Sequence, residues 1–192
     1  MVTLPLFPLP VVLFPGTRMP LQIFEPRYLR MVSDAFKEGH GFVIVQTRPD
    51  TEPVDGQTPF YDVGGYGEIV DFSPLPNDRL GIVVHGRRRV RIGQVHAEED
   101  NLLMGQCEWL PDESAEAVPS RFETLQQLLR EMIKHPALKP LAGEAEIENA
   151  VSLGFRLADW LPFTADDKQE LLACEGAGKR LQLIDDAIDW DE

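Results

Sequence analysis

The residues that could do chemistry on their own are few, and they gather in three places. Arg87, Arg88, Arg89 and Arg91 form the one basic run. Such a run could neutralise phosphates. Gly176-Ala177-Gly178-Lys179 is the nearest approach to a phosphate-cradling loop. The histidines at 40, 85, 96 and 135 and the cysteines at 107 and 174 are the candidate metal ligands or nucleophiles. Each fails a specific requirement. The phosphate loop needs GxxxxGK followed by Ser or Thr, but here Arg180 follows Lys179 and Ala173 replaces the first glycine. The histidines have no HExxH spacing, the cysteines form no CxxC pair, and no GxSxG or SxxK is present. The sequence therefore predicts no catalytic residue, no metal site and no cofactor.

Charge narrows the partners. The chain has 18 Lys and Arg against 32 Asp and Glu, a formal net charge of −14. A polyanion is a poor match for that balance, and no aromatic residue alternates with the arginines in sequence to stack on bases. The Arg87–Arg91 run stays open as an RNA-binding alternative, opposed by the reading of a solvated strand face. A third possibility is a small-molecule cleft. Two widely spaced cysteines fit a reducing, cytoplasmic setting. The apolar start MVTLPLFPLPVVLFPG lacks a basic leader, and its prolines would break a signal helix. No window supplies the roughly 18 apolar residues of a membrane span.

What remains is an apolar feature. Phe7, Phe14, Met19 and Phe24, with prolines between them, form a run with little polar relief. Two readings stand: these are core residues of proline-kinked edge strands, or they line a groove for unfolded or peptide partners.

The elements that must position these residues divide the chain. Short extended segments are expected at 4–7, 11–14 and 19–24. A helix should begin at Pro26, carry the stripe Tyr28, Met31, Val32, Ala35 and Phe36, and stop at Gly39. Phe42–Val45 reads as a buried strand. A surface loop is expected over 47–62, then strands at 63–72, 80–84, 87–92 and 102–110. Ser73–Asp78 is the expected turn, and Gly64-Gly65 is expected to loosen its strand. Beyond a polar linker, Ser120–Glu123 reads as a capping box ahead of one helix. Further helices are expected over about 144–160, from Thr164, and over 177–188. The fold class is thus α+β, with a β-rich domain over 1–112 and a helical bundle over 113–192.

The run LPLFPLPVVLFPGTRMPLQIFEPRYLRMV resembles the start of the N-terminal, substrate-binding domain of Lon proteases. DVGGYGEIVDF, DRLGIVVHGRRRVRI and LADWLPFTADDKQELLACEGAGKRLQLI are similar to later stretches of the same family. The resemblance implies a six-stranded PUA-like pseudo-barrel followed by a helical bundle, and a role in recognising damaged or unfolded polypeptides for degradation. Lon continues into an ATPase and a Ser-Lys peptidase domain. Neither is visible in these 192 residues, so the expectation is a stand-alone, non-enzymatic adaptor or holdase that meets a separate protease.

Overall fold

The computed structural model describes residues 1–48, 59–136, 138 and 146–190. Much of the loop expected over 47–62 lies outside them. Two compact units appear, Met1–Pro111 and Asp112–Glu192.

The first unit contains β1 (Val2–Leu9), β2 (Arg18–Ile23), α1 (Pro26–Glu38), β3 (Phe42–Gln46), β4 (Val63–Leu75), β5 (Arg79–Ala97) and β6 (Leu103–Trp109). These strands make one six-stranded sheet in the order β2-β5-β4-β3-β1-β6, with a further β5–β6 pairing. β1 runs parallel to β3, and the other pairings are antiparallel. The 19-residue β5 closes the structure. One of its edges follows β4; the other meets β2 along Leu80–His85 and β6 along Val90–Ala97. Strands β5, β4, β3, β1 and β6 therefore form a closed ring, while β2 is left as a sheet edge. Pro20 suits that position, because proline cannot donate to a second neighbour. This is the expected α+β pseudo-barrel.

Its core has two layers, divided by β3. Alternation sends Phe42 and Ile44 into a cluster with Tyr28, Met31 and Val32 of α1, and with Ile82 and Val84 of β5. Val43 and Val45 enter the other cluster with Leu4, Leu6, Val90, Ile92 and Cys107. A strand buried on both faces must be apolar throughout, which explains the unbroken Phe-Val-Ile-Val. α1 starts with Pro26 in its first turn and ends at Gly39, whose φ of 71° is left-handed and whose N–H donates to the Ala35 carbonyl at 3.0 Å.

Residues 11–14 are not a strand. Prolines at 8, 10 and 15 deny ladder donors on either side, and Val12, Leu13 and Phe14 instead pack irregularly and are buried. This segment accounts for the glycines that face it. A β-carbon at Gly65 would lie 2.1 Å from the Leu13 carbonyl oxygen, and one at Gly86 would lie 2.1 Å from the Phe14 carbonyl oxygen. Gly65 is thus a site of tight backbone contact, where the sequence suggested a loosened edge.

Among the described residues, the second unit has a 3-10 turn (Ser120–Phe122), α2 (Glu123–Lys134), α3 (Ala150–Trp160), α4 (Ala165–Ala173) and α5 (Ala177–Ala187). The expected capping box at Ser120 does not form, because the Glu123 N–H is already taken by the Ser120 carbonyl in the 3-10 turn. The helix expected from 144 begins at Ala150, where the Asn149 side chain accepts from the Val151 N–H at 3.0 Å. The box at Thr164 and Asp167 is fully made. Arg180, which broke the phosphate-loop pattern, is completely buried. Its guanidinium donates to the Leu171 carbonyl at 3.0 Å and the Cys174 carbonyl at 2.7 Å, grips Glu113 at 2.5 and 3.0 Å, and lies 3.8 Å over the Phe155 ring. It ties the end of α4 to α3 and to the segment entering the unit.

Candidate polypeptide-binding surface

β4 and β5 extend past the ring as a hairpin arm with β2 at its edge. The arm turns at Pro76–Asp78, three residues shorter than the expected turn. Asn77 and Asp78 have φ of 61° and 55°, left-handed values that these two residue types tolerate best among non-glycines. Between Ile69–Val84 and Asp71–Val83 the pairing skips Val70, a bulge that restores the alternation beyond it. Leu21, Ile82 and Phe72 then form one cross-strand row, and Pro20, Val83 and Asp71 form the row on the opposite face. Ile82 is buried in the α1-side core, Leu21 packs against that core, and Phe72 continues the row outward.

α1 supplies a ring contact for Phe72. Phe36 lies on the helix stripe one turn beyond Val32, and its ring meets Phe72 edge-on at 5.2 Å between centroids. Neither ring is covered: Phe36 is 48% exposed and Phe72 60%. Leaving two phenylalanines half in water forgoes part of the ~2–3 kcal/mol that each would contribute on full burial. The two rings form one contiguous apolar patch, which makes it a candidate contact surface. On the face opposite Phe72, a groove of about 350 Å³ lies along β2 and the arm, and its lining includes Pro20, Leu75 and Val83. Gly81 also lines it, and a side chain there would press on Ser73 and Leu75 at 3.1 and 3.3 Å.

The residues expected to form the contact surface separate here. Phe7 is buried, its ring 4.1 Å from Tyr28 and 6.1 Å from Phe42. Phe14 is buried under the glycine crossing. Neither can meet a partner, and the groove reading is corrected for both. Met19 is partly buried against the same core. Phe24 is 63% exposed and stays a candidate. Phe36 and Phe72 join it as candidates that the sequence did not single out. Phe36 belonged to the helix stripe and so read as core. Phe72 preceded a turn placed too early.

The arginine run is likewise dispersed. Pairing jumps from Gly67–Gly86 to Tyr66–Arg88, so Arg87 sits in a bulge, and it pairs with Glu68 at 2.9 Å. Arg88 lies 4.7 Å over the Trp109 ring, Arg89 is 5% exposed, and Arg91 is exposed. Trp109 and Tyr66 do adjoin Arg88, an aromatic neighbourhood hidden from a linear reading. The four side chains nonetheless make no common basic face, because the bulge and the burial of Arg89 break the row.

Shifted ionisable groups are structural. Burial pushes the Cys107 thiol up to about 11, which keeps it protonated and unreactive. Arg30 bridges the β5–β6 turn, donating to Asp100 at 2.7 Å and also gripping Glu98, and its hydrogen bond holds the Asp100 carboxyl low. In the helical unit, burial raises the Asp159 carboxyl and lowers the Lys168 amine, which donates to the Asp159 carbonyl at 2.7 Å. Among the described residues, no group of three or more His, Cys, Asp or Glu could hold a metal ion, and no helix is long and apolar enough to cross a membrane.

Comparison with known proteins agrees with the fold. A solved Lon N-terminal domain protein from Xanthomonas campestris superposes with a TM-score of 0.82 at 26% identity, covering 98% of this chain and all of that one. The N-terminal domain of a Mycobacterium avium complex Lon protease shares the fold with a TM-score of 0.70, at 17% identity and with 96% and 97% covered. Lon protease 2 of Desulfotalea psychrophila is 28% identical over 192 residues, covering 94% of this chain and 24% of that protein. The chain spans about a quarter of the length of such curated relatives. The family model for the substrate-binding domain of ATP-dependent protease La (Lon) matches residues 3–189, and the chain belongs to that family.

Proposed function

We propose that this chain is a non-catalytic polypeptide-binding module, acting in the cytoplasm as an adaptor or holdase that holds unfolded or damaged proteins and presents them to a protease. The observation that carries the reading is the Phe36–Phe72 pair, an exposed aromatic surface at the end of a row that begins in the core. Membership of a substrate-binding family supports the ligand class. Phe24 is the third proposed contact. Binding by such a surface is governed by apolar burial, so affinity should survive added salt and fail for clients without exposed apolar segments.

The test is capture of a denatured model protein by the full chain. Wild type should bind it and not its native form. Phe36→Ser combined with Phe72→Ser should weaken binding roughly tenfold, the scale expected when two central aromatic anchors are lost. No capture by folded wild type would end the proposal.

A further inference from the structure

The helical unit carries its own groove, of about 230 Å³, built by α4, α5 and the residue that leads into α4. Phe163, Leu171, Leu183 and Ala187 give it an apolar lining, and Asp167, Glu170 and Asp186 complete it. Among the described residues no lysine or arginine pairs with any of these three carboxylates. Asp167 accepts from Thr164 in the capping box, and Asp186 accepts from Gln182 at 2.8 Å. Three of the unit's cations are engaged elsewhere: Arg130 with Glu148, Lys134 with Glu131 and Arg180 with Glu113.

The chemistry of this groove selects its occupant. The carboxylates do not converge on one point as metal ligands would, since no acidic cluster among the described residues can hold an ion. A complementary ligand must spread its positive charge around an apolar centre. A second copy of the chain is a poor candidate, because each copy brings a net charge of −14 and would repel the other. A polyamine supplies the charge but leaves Phe163 and Leu183 without a bulky apolar group to contact. We infer that the α4–α5 groove binds polypeptide segments in which one large apolar side chain is flanked by lysines or arginines. The apolar residue fills the groove and the cations meet Glu170, Asp186 and Asp167. The inference goes beyond the proposed function, naming a different surface and a narrower ligand, and either can fail without the other.

The experiment uses the full chain and a short fluorescent peptide with one phenylalanine between two lysines on each side, read by anisotropy. Binding should weaken steeply with salt. It should fall at least about tenfold when glutamates replace the lysines or alanine replaces the phenylalanine. Glu170→Lys with Asp186→Lys should cost about as much, and Glu170→Gln with Asp186→Asn less. All four substitutions fall on exposed positions, so the melting temperature should hold. Phe36→Ser with Phe72→Ser should leave this peptide's affinity unchanged. The inference is overturned if charge reversal at 170 and 186 changes nothing, or if the alanine peptide or spermidine binds as well as the phenylalanine peptide. Loss of binding in the Phe36/Phe72 variant would also overturn it, by placing the peptide on the barrel surface.

Discussion

Two groups of phenylalanines divide the barrel unit. Phe7, Phe14 and Phe42, from β1, the crossing segment and β3, are buried; Phe24, Phe36 and Phe72, at the end of β2, the last turn of α1 and the hairpin arm, are 63%, 48% and 60% exposed. The chemistry is identical and only the topology differs. The first group lies where the sheet is closed, Phe7 and Phe42 in the α1-side core and Phe14 at the glycine crossing. The second lies where β5 has exchanged β6 for β2 and the sheet runs to an open edge. Apolar content along the chain therefore does not locate a binding surface. The surface proposed for this protein lies where the barrel stops covering its own aromatic rows.

The contrast breaks most easily at Phe14. Phe14→Ala should destabilise the fold by about 3–5 kcal/mol, since it empties a filled site, while Phe72→Ala should change stability by no more than about 0.5 kcal/mol. Urea unfolding of the two variants measures both, and similar losses would erase the distinction drawn here. A smaller effect is expected at the glycine crossing. Gly65→Ala must push the Leu13 carbonyl aside, for roughly 1–3 kcal/mol in the same assay. An unaffected midpoint would mean that residues 11–14 are not held against β4.

How much of this was legible follows the same division. α1 could be read because Pro26, a 3.6-residue stripe and Gly39 are local signals, and the Thr164–Asp167 box is equally local. β3 was legible from its composition alone. Strands β4 and β5 were read too short because Pro74 and Pro76 signal a turn, whereas Pro74 pairs with Leu80 inside the arm. β5 looked like two strands because it changes partners at Gly86, a long-range event without a local mark. The site was least legible. Alternation assigns a face only within a strand, so Phe14, outside any strand, could not be placed. Phe36 matched a buried stripe whose cover ends before the stripe does. The burial of Arg180 had no local sign, because its partner Glu113 is 67 positions away.

The helical unit sharpens the comparison with a subtler effect, for there burial falls on a charge. Desolvation raises the Asp159 carboxyl above its ordinary 3.8, so the folded chain holds this proton more tightly than the unfolded chain. That contribution is complete below the unfolded value and is lost as pH rises through the raised folded one. Asp159→Asn should consequently gain stability relative to wild type as pH climbs from 4 through that interval, by chemical denaturation at a series of pH values. A difference that does not vary with pH would show that Asp159 is solvated.

The central claim is that the open aromatic end of the barrel, and not the proline-laced N-terminal run as a whole, takes the polypeptide. At 21.6 kDa the chain is small enough for residue-by-residue NMR mapping. Titration with a denatured client should shift amides around Phe36, along Leu21–Phe24 and on the arm from Val70 to Val83, and leave β1 and β3 unmoved. Shifts centred on Leu4–Phe7, or none at all on the arm, would contradict it.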